Sequence, residues 1–138
     1  MIKLKVKNSG IVKLQNFDDP PDGYLYIGTV KKEIPFAIKR IYYINKLANK
    51  IAIRGKHAHK KLHQIIFCIN GKFTLNLDDG NTKQSIRMTN PGLGIILGPL
   101  LWHTMTKFSK DCVILVLADD DYKKEDYIRD YTEFTKLI

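Results

Sequence analysis

The chain has 138 residues, of which 44% are hydrophobic, and this is enough for a domain with its own core. Lysine and arginine number 23 against 14 aspartate and glutamate, which gives a net charge of +9 at pH 7. The basic residues are spread along the chain without an RNA-binding signature, so we expect a lysine-rich surface and no nucleic-acid partner. No apolar run reaches membrane-spanning length and the N-terminus does not resemble a signal peptide, so we predict a cytoplasmic protein without a membrane partner.

Strand patterns run through most of the chain. Ile2, Leu4 and Val6 alternate with lysines, which predicts an amphipathic strand with one buried face. The Asn70-Gly71 dipeptide lies between two apolar or alternating runs, a strong signal for a tight hairpin. One strand is predicted at 51–53 and continues into the histidine-containing segment that follows. The other strands are predicted at 11–14, 24–30, 36–44, 62–69, 72–77, 82–88, 93–97, 102–108 and 112–118.

Only the end of the chain changes period. Tyr127, Ile128, Tyr131, Phe134 and Ile138 fall at helical spacing and predict one amphipathic C-terminal helix. Many short strands joined by Gly, Pro and Asn turns are typical of an antiparallel sandwich or barrel. We therefore predict an all-β protein, a cupin-type antiparallel β-barrel or jelly roll with a short C-terminal α-helix, as one domain over residues 1–138.

Two histidines stand two residues apart in the segment Arg-Gly-Lys-His-Ala-His-Lys-Lys. On a strand, His57 and His59 project from the same face, while Ala58 faces the other way. Parallel imidazoles can bind a metal, or they can move protons near neutral pH. The bases around them, Arg54, Lys56, Lys60 and Lys61, would attract an anionic substrate. A solvated edge strand is the alternative explanation of this pair.

Other candidate site residues lie on neighbouring predicted strands. Arg40 and Tyr42 share one strand face with apolar neighbours, so both could point into a lined cavity. Trp102 and His103 enter a strand after a Gly-Pro turn, and Gln64 is a further polar candidate for the mouth of the barrel. Each has a structural alternative: a surface cation, a phenol at the edge of the core, a packing indole or a buried structural histidine.

With these motifs the chain resembles a known family, the dTDP-4-oxo-6-deoxyglucose 3,4-ketoisomerases, also called WxcM-like. These are small cupin enzymes that make nucleotide-linked 3-oxo sugars for later amination in the biosynthesis of surface glycans. The matching segments are residues 34–44, 54–61, 64–80, 98–103 and 127–131. The Arg-Gly-x-His-Ala-His-Lys framing is the most specific of them, because generic cupins share the His-x-His alone.

The resemblance implies a metal-free isomerase without a cofactor, in which His57 and His59 are the proton-transfer groups. Its substrate would be a dTDP-linked 4-oxo-6-deoxy hexose, with Arg40, Arg54 and Tyr42 at the substrate site. It also implies a homodimer with exchanged N-terminal strands, for which the edge offered by residues 2–7 is suitable.

Three further residues are expected at the substrate. Lys60 would help to neutralise the diphosphate, Trp102 would stack on the base or wall the sugar, and His103 resembles the branch that makes a galacto product. The chain departs from the family at His63, where glutamate is common, and at Asp22, which fits neither product branch. The connection at 46–53 is also longer than usual.

Two alternatives stay open. One is a metal-dependent cupin enzyme with His57, His59 and His103 as ligands, together with His63 or Gln64. The other is a non-catalytic module that binds a nucleotide sugar or, as the charge alone suggests, nucleic acid.

Overall fold

The computed structural model describes residues 2–47 and 51–138, so part of the predicted long connection at 46–53 lies outside the described residues. The strands are β1 (Ser9–Lys13), β2 (Gln15–Asp19), β3 (Gly23–Ile27), β4 (Arg40–Ile44), β5 (Arg54–His59), β6 (Gln64–Asn70), β7 (Phe73–Asp78), β8 (Lys83–Met88), β9 (Leu93–Leu97), β10 (Trp102–Thr106), β11 (Val113–Ala118) and β12 (Tyr127–Ile128). One helix, α1 (Tyr131–Lys136), follows β12. Over the described ranges, no helix is long and apolar enough to cross a membrane.

Two five-stranded sheets form the body of the molecule. One has the order β1-β9-β6-β11-β4 and the other β12-β5-β10-β7-β8, with every pairing in both antiparallel. Neighbours in the sheets are mostly distant in the sequence, as a jelly roll requires. The prediction of an all-β antiparallel fold with one short C-terminal helix is confirmed.

The main core comes from the alternating residues that the strands turn inward. Strand β7 contributes Phe73, Leu75 and Leu77, and β11 contributes Ile114 and Val116, all at most 2% exposed. Residues two apart on a strand share one face, so each strand fills the interior with every second side chain. Polar residues at inward positions are therefore exceptions, and they gather at one end of the interior.

The N-terminal segment differs from its prediction. Ile2 and Leu4 do pack against the core, and Val6 is buried in it, but residues 2–7 form no regular strand. The segment is held by a side chain instead: the Lys5 N–H donates to Gln84 Oε1 at 2.8 Å, and Gln84 Nε2 donates to the carbonyl of residue 3. These two bonds hold the segment against Gln84 on β8, and the predicted exchange of N-terminal strands stays a prediction.

The C-terminal helix is shorter than predicted. It begins at Tyr131, after Asp130, whose side chain accepts a hydrogen bond from the Thr132 N–H as an N-cap. Tyr127 and Ile128, predicted as helical, form β12 and pair with β5 at His59 and Ala58. This pairing ties the C-terminal segment to the histidine strand.

Candidate active site

Strands β5 and β10 carry the three histidines of the site. His57 on β5 lies opposite His103 on β10, and the pairing shifts register directly after His103. At the shift, Gly55 has φ +83° and Lys56 φ +60°. A Cβ on Gly55 would lie 2.8 Å from the His103 carbonyl oxygen, so only glycine fits there without displacement. This irregularity turns His57 toward the interior.

The three imidazoles form a compact cluster. Ring centroids are 4.9 Å apart for His57 and His59, 4.8 Å for His57 and His103, and 6.1 Å for His59 and His103. His59 and His103 are almost fully buried, at 1% and 2% exposure, while His57 lines an open cavity. The cluster thus has two imidazoles at the cavity, those of His57 and His103, and that of His59 behind them.

Backbone carbonyls fix the tautomer of two of these rings. His57 Nδ1 lies 3.0 Å from the Gly55 oxygen, and His103 Nδ1 lies 3.1 Å from the Leu101 oxygen. A carbonyl oxygen only accepts, so each Nδ1 carries the proton and each Nε2 keeps its lone pair. An imidazole with a bare Nε2 can act as a base or as a metal ligand.

Burial keeps all three imidazoles neutral. It lowers the pKa of His57 to about 4, with the Arg129 cation acting in the same direction, and it lowers the pKa of His59 to about 3. The pKa of His103 is also lowered to about 3, by burial and then by the neighbouring His57. Asp126 lies 3.4 Å from His59 Nδ1, too far for a good hydrogen bond, and does not offset burial. These values lie below the ordinary basicity expected from sequence.

An arginine and a tyrosine complete the polar side of the cavity. The guanidinium of Arg40 lies 5.5 Å from the centre of the Tyr42 ring and 6.0 Å from that of Tyr122. Its buried Nε and Nη2 have no hydrogen-bond partner among the described residues. A buried cation without an acceptor is costly unless an anion reaches it. This end of the cavity is therefore suited to an anionic group.

The cavity itself has a volume of about 360 Å³ and is lined by residues from both five-stranded sheets. Its polar lining includes Arg40, Tyr42, Arg54, His57, Gln64 and His103. An apolar floor is formed by Ile66, Leu97, Met105 and Val116. A few polar groups converging over an apolar floor are typical of a small-molecule site.

Comparison with known families identifies this architecture. The family model described as FdtA: WxcM-like, C-terminal, matches residues 7–138. The chain belongs to this family. A TDP-4-oxo-6-deoxy-alpha-D-glucose-3,4-oxoisomerase from Aneurinibacillus thermoaerophilus is 50% identical over 107 residues, covering 78% of this chain and 76% of the relative.

Solved structures of similar proteins include two ketoisomerases and one more distant epimerase. The 3,4-ketoisomerase QdtA of Thermoanaerobacterium thermosaccharolyticum, in complex with TDP, has a TM-score of 0.92 at 38% identity, covering 96% of each chain. The TDP-fucose-3,4-ketoisomerase WlaRA of Campylobacter jejuni has a TM-score of 0.86 at 35% identity, covering 94% of this chain and 95% of that one. The 3'-monoepimerase ChmJ of Streptomyces bikiniensis, at 12% identity and a TM-score of 0.77, shares the fold alone.

Two predicted substrate residues, Trp102 and Lys60, do not line this cavity, and their contact with a substrate stays a prediction. Trp102 precedes His103 on β10 and so faces the opposite side of the sheet, where its ring lies 5.3 Å from Tyr131 and 5.7 Å from Phe134. Lys60 is exposed and lines a different groove, together with Lys61, Asp119 and Asp126.

His63 also points away from the cavity of this WxcM-like chain. Its side chain is 48% exposed and bonds Asp119, whereas the next residue, Gln64, points inward. Of His63 and Gln64, it is therefore Gln64 that lines the cavity.

Tyr127 and Arg129 are site residues to which the sequence assigned no role. The Tyr127 ring lies 4.9 Å from the His57 ring and 4.4 Å from the His59 ring, and the Arg129 guanidinium lies 4.5 Å from the Tyr127 ring centre. The helical spacing of the C-terminal apolar residues predicted a helix there and gave no sign of a contact with the histidines, although segment 127–131 was among those matching the WxcM-like pattern.

Proposed function

We propose that this protein isomerises TDP-4-oxo-6-deoxyglucose to the corresponding 3-oxo sugar. One observation carries the proposal: His57, whose Nδ1 is bonded to the backbone and whose Nε2 is left bare, lines a cavity together with Arg40, whose buried Nε and Nη2 lack a partner among the described residues. The His57 imidazole is the base that an enolisation needs, and the Arg40 guanidinium can bind a diphosphate. The 50% identical relative named for this reaction supports the same assignment.

The chemistry follows from the acidity of the sugar. The carbonyl at C4 acidifies the hydrogen on C3, and His57 removes it as a proton while the C4 oxygen is protonated, giving an enediol. Return of a proton to C4 and loss of the C3 hydroxyl proton then give the 3-oxo product. Neutral His57 is ready to accept, because its lowered pKa keeps it unprotonated at pH 7. His59, with its ring 4.9 Å from that of His57, is the proton-transfer partner.

The cations at the cavity would hold the nucleotide. Arg40 and Arg54 both line it, and arginine binds phosphate oxygens through strong charge-assisted hydrogen bonds. The diphosphate would fill the unmet hydrogen-bonding capacity of Arg40 and would also raise the pKa of the nearby imidazoles toward a more effective range. Tyr42 would contact the sugar from the same wall.

The product configuration and the assembly belong to the same proposal. His103, which matches the galacto-producing branch, lies beside His57 and favours a 3-oxo-galacto product. We further propose a homodimer of one-domain subunits in the cytoplasm. The exchanged elements would be the N-terminal strands. Phe17, Tyr24 and Leu25 on the β2–β3 hairpin are 50–60% exposed and offer apolar surface to a partner subunit.

The deciding experiment is incubation with TDP-4-oxo-6-deoxyglucose in deuterated water, followed by NMR of the product. We expect a 3-oxo sugar with deuterium at C4, and its couplings report the configuration. His57→Asn should abolish conversion while TDP binding measured by calorimetry is kept, with His63→Asn as the matched control at an exposed histidine. Full turnover by the His57→Asn variant would remove this residue from the mechanism.

The histidine cluster also favours a second candidate function, a metal-dependent reaction. One nitrogen from each of His57, His59 and His103 lies within 4.8 Å of the others, and Gln64 is near enough to the cavity to offer an oxygen. Three imidazoles are a reasonable donor set for a divalent transition metal. Elemental analysis of active protein distinguishes the two: stoichiometric metal whose removal abolishes turnover supports this second function, and turnover by metal-free protein supports the first.

A further inference from the structure

His59 lies between the substrate cavity and a second groove. The groove lined by Lys60, Asp119 and Asp126 is called the outer groove. The His59 ring lies 4.9 Å from the ring of His57, which lines the cavity, and its Nδ1 lies 3.4 Å from Oδ2 of Asp126, which lines the outer groove. His59 itself is 1% exposed. One buried imidazole therefore separates the two spaces.

The ring of His59 differs from the other two imidazoles of the cluster. A backbone carbonyl fixes Nδ1 of His57 and of His103, whereas both ring nitrogens of His59 lack a hydrogen-bond partner among the described residues. A buried polar atom without a partner is uncommon in a folded protein and needs an explanation. An imidazole with both nitrogens free can accept a proton at one and release a proton at the other, as a proton shuttle does.

Asp126 is held in place at the outer end of this contact. Its Oδ1 accepts from the Lys61 N–H at 2.9 Å and its Oδ2 from the Leu62 N–H at 3.2 Å, and its backbone oxygen accepts from the Lys60 N–H. The side chain is 14% exposed, so the carboxylate is within reach of solvent in the outer groove. Its distance of 3.4 Å from His59 is long for a hydrogen bond, but an imidazolium attracts a carboxylate and would shorten it.

We infer that His59 and Asp126 form a proton path from His57 to the outer groove, through which the hydrogen taken from C3 exchanges with solvent while the substrate occupies the cavity. The inference rests on the proposed isomerase function and names the route by which solvent hydrogen reaches C4. A bound nucleotide sugar would cover the open side of the cavity, and the floor is apolar, so the exchange needs a separate way out.

The protons balance along this path. His57 Nε2 takes the C3 proton and passes it to His59, one nitrogen of each ring lying within 4.8 Å, a gap that a single water can bridge. His59 Nδ1 then releases its proton to Asp126 Oδ2, from which water in the outer groove takes it. In deuterated water a deuteron returns by the same steps in reverse, and His57 delivers it to C4. All three residues end as they began.

The stereochemistry of the proposed product makes this exchange measurable. In a galacto product, the C4 hydrogen lies on the same face of the sugar ring as the C3 hydrogen that was removed. His57 can therefore serve both carbons. If the path is blocked, His57 returns to C4 the same hydrogen that it took from C3.

The test follows that hydrogen. Protiated TDP-4-oxo-6-deoxyglucose is converted in deuterated water, and NMR early in the reaction measures the share of product with protium at C4, with an enzyme-free incubation to correct for spontaneous exchange. Asp126→Asn keeps a side-chain oxygen for the loop but removes the carboxylate that takes the proton. Asp119→Asn is the matched control, because this carboxylate lines the same groove and bonds the exposed His63, which points away from the cavity.

We expect deuterium at C4 in most of the early wild-type product. Asp126→Asn should raise the share of protium at C4 at least about threefold, because the shuttle has lost its outlet. Its kcat should fall less than about tenfold, below the range for loss of an acid–base group, since His57 is untouched. Asp119→Asn should match the wild type in both measurements.

The wild-type isotope ratio in Asp126→Asn, even with a lower kcat, would show a structural role alone and would overturn the inference. Protium at C4 in most of the wild-type product would overturn it as well. If Asp126→Asn does not fold, Asp126→Glu decides: it keeps a carboxylate, so its share of protium should not exceed that of the wild type, and a higher share would count against the path. Wild-type protein without ketoisomerase activity would instead overturn the proposed function, and with it this path.

Discussion

Acid should destabilise this protein well above the pH at which carboxylates titrate. His57, His59 and His103 have folded pKa values of about 4, 3 and 3, against 6.5 in an unfolded chain. The unfolded state therefore binds more protons between these values, so the stabilisation is complete above pH 6.5 and is lost as the pH falls. At pH 5 each histidine has lost about 2 kcal/mol, from 1.5 pH units at about 1.36 kcal/mol per unit.

The three histidines together should lower the free energy of unfolding by about 6 kcal/mol between pH 7.5 and pH 5, a large part of the roughly 5–15 kcal/mol typical of a domain. Urea denaturation at fixed protein concentration should give a slope near pH 5 of about 4 kcal/mol per pH unit. His103→Asn should reduce that slope by about a third. A flat profile between pH 7 and pH 5 would refute the buried, neutral state of the cluster.

Three further predictions follow from single contacts. Arg40→Gln should weaken TDP binding about 10- to 100-fold in calorimetry, since it removes charge-assisted bonds to phosphate, and an unchanged Kd would place the diphosphate elsewhere. Gly55→Ala should cost about 1–3 kcal/mol in urea denaturation and lower kcat, because φ is +83° and the new Cβ would meet the His103 carbonyl; wild-type values would contradict this. Tyr131→Phe should cost about 1–3 kcal/mol through loss of its 2.6 Å bond to Asp78, with kcat unchanged, and a loss of kcat would show that α1 acts on the site.

The period of two along each strand was enough to predict much of the site. It placed His57 and His59 on one face and Arg40 and Tyr42 on another, and all of these except His59 line the cavity, with His59 directly behind. The same rule places Trp102, next to His103 on β10, on the opposite face of the sheet, where local geometry favours packing against Tyr131 and Phe134.

The features of the site that the sequence did not predict depend on pairing between strands far apart in the chain. Tyr127 reaches the imidazoles because β12 pairs with β5, which lies about 70 residues earlier in the chain, and no local pattern encodes that contact. The register shift at Gly55 depends in the same way on the neighbouring β10. The lowered histidine pKa values follow from burial in the finished fold, so the ordinary basicity expected from the residue type was an overestimate.

The pairing of β12 with β5 has a consequence for how the enzyme can be handled and how it matures. Without residues 127–138 the histidine strand would become an open sheet edge, with unpaired N–H and C=O groups exposed to neighbouring molecules. Proteolytic trimming before Tyr127 would therefore couple inactivation to aggregation. During synthesis on the ribosome, the histidine strand would stay unpaired on this side until residues 127–128 had left the exit tunnel.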